Sequence, residues 1–247
     1  MRRASRGQPH GVVQHWPVRS AKPSNSDAEM PAALCDQFRS IVADARADEV
    51  LQELLRRHRE PHRHYHGPGH VRSVVSAVNA AAGSDAVVLA AWFHDAVYDP
   101  RSSTNEADSA NLATELLLAC LCPAALVADV ERLVLATRDH TPTQSDEAML
   151  IDADLAILAA DPNVYDRYVV GVRMEYQHVA DAQWQVGRAH VLQGFLHRER
   201  IFHTTLGMDR AVGIARAVGI DQAAPIDREA AARANIRREL QALGPPR

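Results

Sequence analysis

Two adjacent residues, His94 and Asp95, interrupt the most apolar stretch of the chain, residues 85–98 (DAVVLAAWFHDAVY). A carboxylate that is buried without a partner costs several kcal/mol. A bound cation compensates this cost, and both imidazole and carboxylate are metal ligands. A core arginine would also compensate it. The pair therefore predicts a metal site only if further ligands accompany it.

His70 is a further candidate ligand. The residues before it, Gly67-Pro68-Gly69, are typical of a helix start, with the proline at or near the first helical position. His70 is then expected in the first turn of this helix, and His66 in the loop that precedes it.

The last candidate ligand lies in MLIDADLAIL, residues 149–158, where two acids interrupt an apolar run. Asp152 and Asp154 are two positions apart, which is about 200° around a helix, so the two side chains do not share a face. Asp154 lies in the more apolar stripe and is predicted to be the buried ligand. Asp152 is then a helix-start residue or supports the ligands, but the reverse assignment stays open.

These residues form the pattern His70, His94-Asp95 and Asp154, with 24 residues from the first histidine to the second and 59 from Asp95 to the last aspartate. In this the chain resembles the HD superfamily of metal-dependent phosphohydrolases. Five segments are similar to the corresponding segments of a bacterial subgroup of predicted HD phosphohydrolases, namely RHYHGPGHV, AAWFHDAVYDP, NEADSA, DADLAIL and AARANIRREL. The resemblance extends over roughly residues 34–243.

The resemblance implies an all-α, HD-domain-like helical bundle in a single domain. It also implies an enzyme that uses a metal-bound water to hydrolyse a phosphomonoester or phosphodiester. The implied substrate is a small phosphorylated molecule, of which a nucleotide is one option. Two imidazoles and two carboxylates suit one divalent transition metal, Mn, Fe, Co, Ni or Zn, and Mg is a further option. The alternative is a non-catalytic nucleotide-binding regulatory protein that keeps the metal site.

Two residues are candidates for proton transfer. YHGPGHV is similar to the YHN-x-x-H stretch of cyclic-nucleotide phosphodiesterases, in which the first histidine protonates the leaving oxygen; His66 has that position, with Gly67 in place of the asparagine. A solvated loop histidine is the alternative. Glu106 is a candidate for orienting the attacking water, or else an acid favoured by the dipole at a helix start.

Three residues are candidates for contact with the substrate phosphate. His140 lies between the second and the last ligand, where some HD proteins hold a second metal with two or more histidines. Because it is the only histidine in this interval, we expect one metal, with His140 touching the substrate or a ligand. Arg63 and Arg138 lie beside the motifs and are expected to bind phosphate, although in an arginine-rich chain chance proximity is the competing explanation.

Helical spacing of apolar residues predicts the elements that carry these side chains. One helix face runs from Leu34 to Ala45 and another from Val71 to Val78. Further helices are expected at residues 85–98, 105–121, 124–138, 145–160, 163–180, 183–205 and 227–243. No stretch alternates as a strand does, so no β-sheet is expected.

Composition adds limits on function. The net charge of −4 argues against a general DNA- or RNA-binding protein. No apolar run reaches the ~18 residues of a membrane span, and no secretory signal is recognisable. With only three cysteines, we expect a cytoplasmic protein whose oligomeric state the sequence leaves open. Residues 1–30 are expected to form a flexible arm, and residues 31–247 the helical domain.

Overall fold

The computed structural model of the chain describes residues 30–204 and 227–244. Within these residues there are ten α-helices, one short 3₁₀ helix and no β-strand, which confirms the predicted all-α fold in one domain. The helices are α1 (Ala32–Val42), α2 (Ala47–His58), α3 (Pro68–Ala80), α4 (Asp85–Phe93), α5 (Asn105–Ala119), α6 (Ala124–Ala136), α7 (Ser145–Asp154), the 3₁₀ helix (Leu155–Ala159), α8 (Pro162–Glu175), α9 (Asp181–His197) and α10 (Arg228–Leu243).

The first predicted helix is shorter than expected, and the helix after it was not predicted. Helix α1 ends at Val42 because Ala43 adopts a left-handed conformation, with φ of 51°, and its N–H bonds back to the carbonyl of Arg39. Helix α2 follows over Ala47–His58 and buries Val50, Leu51, Leu54 and Leu55. This spacing is the ordinary signature of an amphipathic helix, so the sequence did contain the signal for α2.

Two clusters of buried apolar side chains form the core. The larger one surrounds α4, in which every residue from Ala86 to Phe93 is buried. The smaller one lies between the 3₁₀ helix and helices α8 to α10, and includes Tyr165 and Ile236. Helix α7 belongs to both, because Leu150 packs in the larger cluster and Ile151 in the smaller. The structure thus joins its two clusters through the helix that ends at Asp154.

The predicted arm, residues 1–30, lies outside the described residues except for Met30, whose side chain is buried in the larger cluster. The helix predicted over 183–205 ends at His197, and residues 205–226 are likewise outside the described part. Among the described helices, none is both long enough and apolar enough to cross a membrane.

Candidate metal centre

The helix that leads to the His94-Asp95 pair ends earlier than predicted. The expectation of a helix over 85–98, with the pair in its middle, is wrong: α4 ends at Phe93, and His94 is the residue that caps it. The chain turns after His94, and the Asp95 and Ala96 carbonyls accept hydrogen bonds from the Arg63 side chain instead of from later N–H groups of a helix. The turn brings Nε2 of His94 to 3.3 Å from Oδ2 of Asp95.

The four predicted ligands meet at one point. Nε2 of His70 lies 3.0 Å from Nε2 of His94 and 3.4 Å from Oδ2 of Asp95, and the ligand atoms of these three residues are all within 4.8 Å of one another. Oδ1 of Asp154 lies 3.2 Å from Nε2 of His70 and 3.7 Å from Nε2 of His94. Residues from α3, the end of α4 and the end of α7 therefore converge, as the spacing of the motif predicts.

Asp152, the alternative fourth ligand, lies elsewhere. Its carboxylate accepts hydrogen bonds from the backbone N–H groups of His203, at 2.9 Å, and Thr204, at 2.7 Å, and from the Thr204 hydroxyl. Asp152 and Asp154 thus point to different sides of α7, as their separation of about 200° requires. The structure brings Asp154 to the histidines and uses Asp152 to hold residues 203–204.

The charge at the meeting point favours a cation. Burial alone would lower the pKa of His70, but hydrogen bonds to Asp154 and Asp95 outweigh it and raise this pKa to about 10. Burial would raise the pKa of Asp154, and hydrogen bonds from His140 and His70 hold it far below its usual value. Two anionic carboxylates in a mostly buried position thus stabilise positive charge between them.

The donor set fits a divalent transition metal. Nδ1 of His94 lies 2.9 Å from the carbonyl of Ala91 in its own helix, so Nδ1 is the protonated nitrogen and Nε2 is left as the ligand atom. The rings of His70 and His94 are almost fully buried, so bulk water has little access to their nitrogens. Two imidazole nitrogens with two carboxylates match the preferences of Mn, Fe, Co, Ni or Zn.

His140 lies beside the fourth ligand. Its Nε2 is 3.1 Å from Oδ2 of Asp154, the oxygen that does not face His70. His140 adopts a left-handed backbone conformation, with φ of 48°, and the Arg198 guanidinium holds this turn by donating to the carbonyls of His140 and Asp139. The ring therefore has the position expected of a histidine that supports a ligand.

His66 lies in the loop before α3, as predicted, and is paired with an acid that the sequence analysis missed. Nδ1 of His66 is 2.7 Å from Oε2 of Glu175, at the end of α8. The His66 ring also packs against the rings of Tyr98, at a centroid distance of 4.4 Å, and His70, at 5.5 Å. Nδ1 is thus committed to Glu175, and Nε2 has no partner within the described residues.

Glu175 also fixes the backbone of the loop. Its Oε1 accepts hydrogen bonds from three consecutive N–H groups, those of residues 64, 65 and 66, at 2.7–2.9 Å, and its Oε2 accepts one from the Tyr98 hydroxyl. Burial would raise the pKa of Glu175, but the bonds from His66 and the backbone lower it to about 2. The missed signal was an acid three residues after Val172 on the buried face of a helix, the same signal that identified His94-Asp95.

A glycine on α8 allows the loop to approach this closely. A Cβ atom at Gly171 would lie 3.1 Å from the carbonyl oxygen of His64 and 3.1 Å from Cβ of Tyr65. Gly171 and Glu175 are four residues apart and so lie on the same side of the helix. The loop before α3 therefore packs directly against the backbone of α8 at Gly171, and the Glu175 carboxylate holds it there through hydrogen bonds.

Arg63 and Arg138, the predicted phosphate contacts, and Glu106, the residue predicted to orient the attacking water, lie in three different environments. The Arg63 side chain is fully buried and binds carbonyl oxygens, so it is not in the exposed position expected of a phosphate contact. Arg138 is exposed, two residues before His140, and its side chain has no hydrogen bond or ion pair in the part of the chain that is described. Glu106 is half-buried in the first turn of α5, where its charge helps to raise the pKa of Tyr176, after burial and Glu175. No described contact joins Glu106 to the four ligands.

The site thus combines four candidate ligand side chains with a histidine that is held by a carboxylate, next to the helix that the two hydrophobic clusters share. Its parts come from four regions of the chain, namely the start of α3, the end of α4, the end of α7 and the end of α8. Comparison of the chain with protein-family models, with curated proteins and with solved structures finds no match.

Proposed function

We propose that the chain is a metal-dependent phosphohydrolase that acts on a small phosphorylated molecule. The observation that carries the proposal is the convergence of His70, His94, Asp95 and Asp154, whose ligand atoms approach the two histidine nitrogens to 3.0–3.7 Å. His70, His94, Asp95 and Asp154 would hold a divalent ion, which would supply Lewis-acid chemistry toward the phosphoryl group and lower the pKa of a water molecule.

The chain's own residues then handle the proton and the substrate. Nδ1 of His66 is tied to Glu175, so the ring presents Nε2 as the atom that gives a proton to the leaving oxygen. The carboxylate fixes the orientation of this ring. His140, which is partly exposed, and the exposed Arg138 are the polar groups available to bind the substrate phosphate.

The three cysteines of the chain agree with a compartment in which thiols stay reduced. Cys35, Cys120 and Cys122 are all buried and unpaired, and burial raises the pKa of each thiol. Three protonated, inaccessible thiols agree with a cytoplasmic enzyme, and we include this location in the proposal.

The test is metal analysis followed by a screen of phosphorylated compounds. We expect about one divalent ion per chain, hydrolysis of at least one phosphate ester, and loss of both in His94→Ala and Asp95→Ala. Hydrolysis of phosphate esters by metal-free wild-type protein would contradict the proposal. A protein that binds one metal and is stabilised by nucleotides, but yields no product from any compound, would instead be the regulatory alternative.

A further inference from the structure

The carbonyl groups at the end of α4 are held by side chains. The last carbonyls of a helix have no partner within it and must find one elsewhere. The Ala91 carbonyl faces Nδ1 of His94 at 2.9 Å, and the Trp92 carbonyl faces Nε2 of His58 at 3.3 Å. The His58 ring is buried, and burial followed by the charge of Arg63 lowers its pKa to about 3, so it is neutral and donates through Nε2.

Arg63 extends this arrangement into the turn that follows. One of its terminal nitrogens donates to the carbonyl of Asp95, at 2.6 Å, and the other to that of Ala96, at 3.1 Å. The first nitrogen also donates to the carbonyl of His66, at 3.2 Å. The guanidinium therefore links the backbone of a ligand residue to the backbone of the loop that carries the proton donor.

The Arg63 side chain has no solvent exposure, and Glu60 balances its charge through a contact of 3.1 Å. A buried guanidinium is costly unless its donors are satisfied, and here four of its N–H bonds are directed at three carbonyls and one carboxylate. Because the Asp95 carbonyl and the Asp95 carboxylate belong to one residue, fixing the first restricts where the second points.

We propose that Arg63 is a positioning residue, which holds the turn after α4 in the shape that brings His94 and Asp95 to one point. This inference rests on the proposed metal site. Partners that orient metal ligands typically change metal affinity by 10- to 100-fold when they are removed. A residue with a purely structural role would change the stability of the fold without changing metal affinity.

The chain contains a control arginine. Arg238 donates to the carbonyl of Pro162, at 3.3 Å, and to the side-chain oxygens of Asp166, at 2.7 Å, and Asn235, at 3.3 Å, so it joins α10 to the start of α8, where no predicted ligand or proton donor lies. Arg63→Met, Arg63→Lys and Arg238→Met would be stripped of metal, checked for folding by circular dichroism and titrated with Mn²⁺ by calorimetry.

We expect the dissociation constant for Mn²⁺ to rise about 10- to 100-fold in Arg63→Met. Arg63→Lys, which keeps the charge and donates to fewer carbonyls, should fall between this variant and the wild type, and it serves alone if Arg63→Met does not fold. Arg238→Met should match the wild type. Unchanged Mn²⁺ affinity in both Arg63 variants, or an equal loss in Arg238→Met, overturns the inference. Wild-type protein that binds no Mn²⁺ or other divalent ion overturns the proposed function first, and the inference with it.

Discussion

Two aspartates on α7 differ in what they bind, although only one residue separates them. Asp154 faces the histidines His70 and His94, whereas Asp152 accepts hydrogen bonds from the backbone at residues 203–204. Both are buried or nearly so, and both are surrounded by apolar neighbours. Burial alone therefore does not distinguish a ligand from a structural acid; the direction of the side chain does.

Neutral variants of the two aspartates should separate these roles. Asp154→Asn removes an anionic ligand, and we expect metal affinity to fall by at least about 100-fold. Asp152→Asn keeps an acceptor oxygen but loses the charge, so it should cost about 1–2 kcal/mol of unfolding free energy and leave one metal per chain. Metal content and urea unfolding measure the two effects. Loss of metal in Asp152→Asn to the same extent would contradict the assignment.

The role of His66 can be tested through the leaving group. A proton donor matters most when the leaving oxygen is basic, so His66→Asn should lower kcat for an alkyl phosphate about 10²- to 10⁴-fold and affect p-nitrophenyl phosphate far less.

His64 is the matched control for this measurement, because it lies in the same loop and its side chain has no hydrogen bond within the described residues. His64→Asn should behave as the wild type with both substrates. An equal loss for the two substrates in His66→Asn would show that the histidine acts on something other than the leaving group.

At the scale of the elements, the site depends on where helices end. Helix α4 ends at Phe93, α7 at Asp154 and α8 at Glu175, and each end delivers side chains to the site. Helix ends are the least predictable feature of a sequence, because apolar spacing continues past the point where the backbone turns. Residues 96–98 continue the apolar pattern of α4, so the turn depends on hydrogen bonds from side chains distant in sequence, those of Arg63 to the carbonyls of residues 95 and 96 and those of the Ser109 hydroxyl with the backbone of Val97.

Glycines on two helices should respond in opposite ways to alanine. A Cβ atom at Gly187, on α9, would meet nothing within 4 Å, so Gly187→Ala should stabilise the protein by about 0.5–1 kcal/mol. At Gly171 the same Cβ would meet loop backbone at 3.1 Å, so Gly171→Ala should lose this gain and displace His66. Thermal unfolding and kcat measure both. Full activity together with a stability gain in Gly171→Ala would contradict the close packing of the loop on α8.

At the scale of the whole molecule, Glu175 ties α8 to the loop before α3, and this tie makes stability depend on pH. The pKa of Glu175 is lowered from 4.5 to about 2, so its contribution is fully present above about pH 4.5 and is lost as the pH falls towards 2. The shift corresponds to about 3 kcal/mol of unfolding free energy.

We therefore expect Glu175→Gln to be less stable than the wild type by up to about 3 kcal/mol at pH 7, with the difference shrinking steadily below about pH 4.5. Urea unfolding between pH 3 and pH 7 measures it. Glu115→Gln, at an exposed position of α5, is the control and should match the wild type throughout. A difference for Glu175→Gln that does not change with pH would contradict the role of the charge.

The candidate metal ligands could be predicted from the sequence, whereas the contacts that hold the neighbouring loop and turn could not. His94, Asp95 and Asp154 were predicted as ligands because ionisable side chains in apolar surroundings are conspicuous in a one-dimensional pattern, and His70 because it follows the helix start at Gly67-Pro68-Gly69. Glu175 and the carbonyl contacts of Arg63 were not, because each joins parts of the chain that only the tertiary fold brings together. A carbonyl oxygen also leaves no trace in the sequence, since every residue has one.

The hydrogen bonds from residues 64–66 to Glu175 span 109 to 111 residues of chain. Closing so long a loop is entropically costly and follows the formation of local helices. The larger cluster forms almost entirely from residues before α8, so it can gather while these three N–H groups still face water. Refolding should therefore have an order in time, in which helix content and burial of Trp92 recover first and His66 reaches its position beside Glu175 last.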